Sequence, residues 1–329
     1  MKVAAIQLGS RIGDVAANLD ACWHLGEAAA AAGARWIILP EFFTTGMGFV
    51  PALAELALAP DGAATELLLT LARRHDAFVG GSFLCRDADG HARNAFLLAG
   101  PGGLVGRHDK DLPTMWENCF YVGGTDDGRI AAGRLDVGAA VCWELMRTAT
   151  ARRLRARVDL VVGGSCWWSW PDWPPRVLSR RIEAANARTA ARVAPALARL
   201  VGAPVVHAAH CGPVACDVPW SPVRYRGHYQ GGALVCDAQG TVRARRDAAD
   251  GPGIAVADIE PGRATPADGL PGGFWLHRRG PMLALMWAYQ RLHGRRWYAR
   301  HTAGRPALSL AWRAPEGARE TAGSRGALS

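Results

Sequence analysis

The chain has 329 residues, half of them hydrophobic and 20% charged, with eight cysteines and a formal charge of +9. That length and apolar content suit a large globular domain and exclude a disordered chain or a disulfide-stapled miniature. The charge is uneven: from Arg278 onward ten arginines face two acids, which leaves the body close to neutral and argues against a nucleic-acid-binding protein.

Residues 3–8 are predicted to form a strand that starts at once, without the long apolar segment and cleavage site of a signal peptide. A helix follows over 18–32, a strand over 36–39, a helix over 64–74 and strands over 78–83 and 95–99. The segment Gly106-Arg107-His108-Asp109-Lys110-Asp111-Leu112-Pro113 is too polar for a core strand. Further strands are expected over 135–141, 160–163, 205–209, 233–237 and 254–259, with helices over 148–157 and 175–200. A polar turn at 237–240 makes 231–242 hairpin-like.

This alternation argues for an α/β layered domain over 1–262. Residues 261–273, rich in Gly and Pro, read as a linker. Beyond them 281–298 is an amphipathic helix with Met282, Leu285, Met286, Tyr289 and Leu292 at helical spacing. The last twenty or so residues have a disordered composition. The extension over 263–329 is therefore expected to be a linker, a helix and a basic tail, serving oligomerisation or lacking order. No apolar run reaches transmembrane length, so no membrane partner is expected. Cysteines without paired spacing fit reduced thiols in the cytoplasm.

Only Lys2 and Lys110 are lysine among 38 basic residues. In a chain that otherwise uses arginine, an internal lysine suggests a task for a compact cation rather than a broad fork. Glu41 and Cys142 each stand at the C-terminal end of an apolar strand, where functional groups of α/β sheets collect. Cys142 also precedes a helical stretch that begins near residues 146–148, a setting that favours a thiolate. A cysteine, a carboxylate and a lysine together suit covalent acyl transfer: the thiol attacks, the carboxylate takes its proton, and the ammonium steadies the developing charge.

The spelling Leu39-Pro40-Glu41-Phe42, then Lys110-Asp111-Leu112-Pro113-Thr114 with Glu117, then Cys142-Trp143-Glu144 resembles the nitrilase superfamily of carbon–nitrogen hydrolases, over roughly residues 1–260. The resemblance implies an α-β-β-α sandwich followed by a C-terminal extension, with dimers or higher homo-oligomers packed across helices. It implies Glu41 as general base, Lys110 as charge stabiliser, Cys142 as nucleophile and the Trp143 N–H as a second oxyanion donor. Glu117 resembles the family's second glutamate, which positions substrate and supports the lysine. The implied reaction needs no cofactor and converts a small amide or nitrile, through a thioester, to an acid plus ammonia or an amine.

Cys142-Trp143-Glu144 is similar to the nitrilase spelling, yet Leu145-Met146-Arg147-Thr148 replaces the Pro-containing continuation of many members, so an amide is at least as good a substrate. An N-acyltransferase on the same fold and a catalytically silent partner module are the alternatives.

Other residues are assigned supporting places. Cys166 ends a strand but precedes a Pro-rich loop, which fits a pocket wall rather than a nucleophile. Trp116, Trp143 and Trp167, with Trp168, Trp170 and Trp173, fall on segments expected near the cleft and suit an aromatic or extended apolar substrate. His108 and Asp109 are expected to support the site or lie on the surface. His207, His210, Cys211 and Cys216 match no usual zinc spacing, and no metal is expected. The pairs Gly80-Gly81 and Gly163-Gly164 read as close strand packing rather than phosphate loops.

Overall fold

The computed structural model describes residues 1–277 and 280–315. The disorder expected of the last twenty or so residues therefore falls mostly on 316–329, outside the described residues. The chain runs β1 (Lys2–Leu8), α1 (Val15–Ala31), β2 (Trp36–Ile38), α2 (Ala63–His75), β3 (Phe78–Arg86), β4 (Ala92–Gly100) and β5 (Gly103–Asp109). It continues through β6 (Arg129–Ala132), β7 (Leu135–Ala139), α3 (Thr148–Leu154), β8 (Leu160–Ser165) and α4 (Arg176–Val201). Then follow β9 (Val205–Asp217), β10 (Arg224–Cys236), β11 (Val242–Asp247), β12 (Gly253–Asp258) and α5 (Pro281–Trp297).

The strands run in the order β5-β4-β3-β2-β1-β9-β8-β7-β6, with β10 on β9, β11 on β10 and β12 on β1. The join between the two halves is narrow: β1 meets β9 only at Gln7–Ala209 and Leu8–His210. Alternation along β1 then sets the layers. Ala4, Ile6 and Leu8 pack with α1 and α2, whereas Val3 and Ala5 share a core with β7, β8, β9, α3 and α4. Helices thus cover both outer faces of a strand-on-strand core.

Glycines hold the inner layers close. A Cβ on Gly163 would lie 1.9 Å from the Ala140 carbonyl oxygen, and one on Gly164 would lie 2.7 Å from the Pro40 Cα and 3.0 Å from the Glu41 N. The glycine pairs do serve close packing, and Gly164 does so directly behind Glu41.

The structure adds one strand and corrects one helix face. The segment 106–113, judged too polar for a core strand, contributes residues 106–109 to β5, which lies at one end of the strand order, paired antiparallel with β4. Polar composition is tolerated there because its charges are paired: Arg107 makes hydrogen bonds to Asp87 at 2.7 Å and to Asp109 at 2.8 Å. The apolar row read along α5 also faces the wrong way. Met282, Leu285, Tyr289 and Leu292 are exposed, while Leu283, Met286 and Trp287 pack on the core and Gln290, His293 and Gly294 are buried. Gly294 decides the seam: a Cβ there would fall 2.3 Å from the Asn118 Cβ, so α5 meets the body along its glycine side.

The described part of the C-terminal extension also lies on the body. Thr302 Oγ1 donates to the Cys119 carbonyl at 2.6 Å, and the Leu308 N–H to the Ala57 carbonyl at 2.8 Å.

Candidate active site

Glu41, Lys110 and Cys142 follow β2, β5 and β7, three strands that end at one side of the core. The backbone turns sharply at each: Phe42, Met115 and Cys142 have φ of 52°, 49° and 53°, left-handed values that side chains resist. Such turns cost on the order of 1–3 kcal/mol each and persist where surrounding packing imposes them. Cys142 opens a single 3₁₀ turn, Cys142–Met146, whose neighbours are all buried.

The ammonium of Lys110 lies between two carboxylates. Nζ donates to Glu41 Oε1 at 2.8 Å and to Glu117 Oε2 at 2.7 Å, with Thr114 Oγ1 at 3.3 Å. All of these residues are buried. Burial opposes the Lys110 charge, but Glu117 and Glu41 outweigh it and hold the amine protonated well above its ordinary range. A guanidinium would not fit this enclosed, three-partner seat, which explains the lysine.

Glu41 is fixed from every side. Its Oε1 also accepts from Asn94 Nδ2 at 2.9 Å, its Oε2 from the Cys166 N–H at 2.9 Å, and its backbone carbonyl meets His210 Nε2 at 2.5 Å. Burial pushes the His210 ring down to about 4, so it is a neutral donor. Glu117 is held less completely. Its Oε2 accepts from Lys110, from the Thr114 N–H at 2.9 Å and from Tyr121 Oη at 2.5 Å, while its buried Oε1 has no partner among the described residues. Burial, with Glu41 nearby, pushes its carboxyl up to about 7 against the pull of Lys110.

Ligand atoms of Glu41, Glu117 and Cys142 lie within 4.8 Å of one another, a donor set that by type could hold a cation. Lys110 already supplies that positive charge from between the two carboxylates. The Cys142 thiol differs from the sequence expectation. Burial, then Glu41, pushes it well above its usual range despite Lys110, so the resting sulfur is a thiol. A one-turn 3₁₀ segment lacks the aligned dipole of a helix, and α3 starts only at Thr148. Ionisation must therefore be driven by a base at the moment of attack.

Behind Cys142 is a second charged cluster. Glu144 accepts from the Val141 N–H at 2.8 Å, the Asp111 N–H at 3.1 Å, His108 Nε2 at 2.8 Å and Arg153 Nη2 at 3.0 Å. His108 Nδ1 meets Asp126 at 2.5 Å. Burial disfavours its charge, but Glu144 and Asp126 raise the imidazole to about 10.

Cys142 opens on a cavity of about 280 Å³, lined also by Trp116, Trp143, Cys166 and Trp167. Trp168, Trp170 and Trp173 join that lining. All eight site residues named from the sequence thus gather in or beside one cleft. Sequence reasoning missed Asn94, Tyr121 and Glu144's role. A lone Asn inside the apolar strand β4 was a usable signal; Tyr121 offered none. It also missed Trp275, placed in or after a linker, which packs edge-on against Trp143 at 5.1 Å.

A family model described as carbon-nitrogen hydrolase matches residues 2–268. The chain is 27% identical over 187 residues to a nitrilase of Pyrococcus abyssi (strain GE5 / Orsay), covering 56% of this chain and 71% of that one. It is 29% identical over 218 residues to the omega-amidase YafV of Yersinia enterocolitica, covering 64% and 72% respectively. Among solved structures, a variant of the amidase from Nesterenkonia sp. AN1, with acrylamide added at its active-site cysteine, matches with a TM-score of 0.60 and 22% identity over 87% of this chain and 99% of that one. XC1258 from Xanthomonas campestris, carrying an arsenic adduct in its active site, matches with the same TM-score and identity over 78% and 89%. Those structures share the fold.

Proposed function

The chain belongs to the carbon–nitrogen hydrolase family and is a carbon–nitrogen hydrolase, and from that premise we propose that it cleaves a small-molecule amide through a thioester on Cys142. The observation that carries this reading is the Lys110 ammonium bridging Glu41 and Glu117 beside the Cys142 sulfur. Glu41 takes the thiol proton as sulfur attacks the carbonyl carbon, the step that a raised thiol requires. The carbonyl π pair moves to oxygen, where Lys110 and the Trp143 N–H receive the negative charge. Glu117 Oε1, buried and unpaired, is suited to accept a hydrogen bond from the substrate nitrogen. Collapse of the intermediate breaks the C–N bond, and the proton held by Glu41 leaves with the amine. Glu41 then takes a proton from water as hydroxide adds to the thioester; the acid departs and the thiol reforms.

Support also comes from the acrylamide adduct of the Nesterenkonia relative, which makes acrylamide a probe here. Intact mass after acrylamide treatment should show one addition that maps to Cys142. Addition at Cys166 alone would overturn the nucleophile. Turnover of nitriles but not of their amides would replace the amide reading, and acyl transfer to hydroxylamine without hydrolysis would favour the acyltransferase.

We further propose a homo-oligomer in which the exposed row Met282, Leu285, Tyr289 and Leu292 meets a second copy of the chain. A monomer mass by light scattering at micromolar concentration overturns it.

A further inference from the structure

The cavity above Cys142 is built from two unlike parts of the chain. One wall comes from segments within the family match, including Trp116, Trp143 and Trp167. The other comes from beyond residue 268: Trp275, Leu283, Met286 and Gln290 all line the same space. Trp275 and Trp287 both pack edge-on against Trp143, at 5.1 and 6.0 Å, and Trp116 lies 4.6 Å from Trp168. The extension thus completes the cavity, so the group it admits depends in part on residues outside the family match.

The chemistry of the lining is narrow. Among the described residues, no Asp, Glu, Lys or Arg lines the cavity. Flat indole faces bounding some 280 Å³ favour an aromatic group over a small aliphatic one. Ser169, Asn186, Thr189, Tyr225, His277 and Gln290 interrupt the apolar wall, and two buried polar atoms stand out. Gln290 is 3% exposed and Trp116 is 6% exposed, and neither Gln290 Oε1 nor Trp116 Nε1 has a partner among the described residues. A buried amide oxygen left unpaired is destabilising, and a bound donor would relieve that.

We propose that the acyl group of the substrate is aromatic and carries an O–H or N–H donor that Gln290 Oε1 accepts. This assignment of substrate class rests on Cys142 being the acylated residue. Catalysis by the triad is common to any amide that reaches it; the extension, with the tryptophans of the body, selects which ones do.

Ammonia release from the full-length chain tests this with acetamide, glutaramate, phenylacetamide and 4-hydroxyphenylacetamide, while acrylamide labelling reports Cys142 separately. The expected kcat/KM for 4-hydroxyphenylacetamide exceeds those for acetamide and glutaramate by at least ~100-fold. Gln290→Leu and Gln290→Met should each raise KM for the hydroxylated amide about tenfold more than for phenylacetamide, with kcat changed less. Acetamide or glutaramate matching the aromatic amides, or a panel left untouched while acrylamide labels Cys142, overturns the substrate class alone. Equal KM effects of the Gln290 variants on both aromatic amides overturn the donor contact. If Cys142 resists acrylamide and nothing turns over, the thioester reading itself falls.

Discussion

Two charged clusters flank the turn at Cys142, and they are satisfied to different degrees. Behind the turn, Glu144 accepts four hydrogen bonds spread over both oxygens, and its cationic neighbours His108 and Arg153 are buried or nearly so. In front, two carboxylates share one ammonium, Glu117 Oε1 is unpaired, and the thiol is held protonated. In the rear cluster the Glu144 carboxylate is fully used and fixes geometry: by holding the Val141 and Asp111 N–H groups it ties the turn at Cys142 to the segment after Lys110. The front cluster has spare acceptor capacity and excess negative charge, which a substrate and a moving proton can use. Burial alone does not tell the Glu144 and Glu117 carboxylates apart. The free oxygen of Glu117 does.

Breaking the front cluster should give the largest effect. Lys110→Arg keeps the charge but overfills the seat, so a loss of at least ~10³-fold in kcat/KM is expected beside an overpacking cost of about 1–3 kcal/mol in stability. Near-normal turnover in that variant would remove Lys110 from the reaction.

Glu144→Gln attacks the rear cluster and should invert the pattern. It leaves His108 and Arg153 without their buried counter-charge, at about 3–5 kcal/mol of stability, while kcat drops only about tenfold through a loosened turn. A stability loss below 1 kcal/mol, measured by urea titration, would contradict the supporting role.

The clusters should also part in their response to pH. The folded His108 has its pKa raised from 6.5 to about 10, so its stabilising contribution is fully present below pH 6.5 and is lost as pH rises through 10. Unfolding free energy should fall by about 3 kcal/mol between pH 7 and 10. Replacing His108 with Gln should flatten that slope, and an unchanged slope would assign it elsewhere.

The smallest effect is expected at Gly164. Alanine there must press on Pro40 and the Glu41 N, costing about 1–3 kcal/mol. Since the strain falls directly behind the base, turnover should suffer more than the urea midpoint; the reverse order would place the strain away from Glu41.

Much of the fold was legible because its strands are short apolar runs bounded by turn residues, and β1 and β8 are buried almost throughout as such runs require. Strand β5 was not, because its charges are neutralised by Asp87, a residue far along the chain. The α5 face was misread for a related reason. Hydropathy ranks Leu285 above Gly294, but the docking surface at Asn118 admits only the glycine side.

The site divides the same way. By itself the sequence pointed to the family and to the residues proposed for catalysis, since Glu41, Lys110 and Cys142 sit in local motifs whose spelling is informative. Only the tertiary structure decided that the thiol rests protonated, that Glu117 keeps a free oxygen and that Gln290 lines the cavity. Those properties depend on desolvation and on partners from distant segments, which no local stretch of sequence encodes.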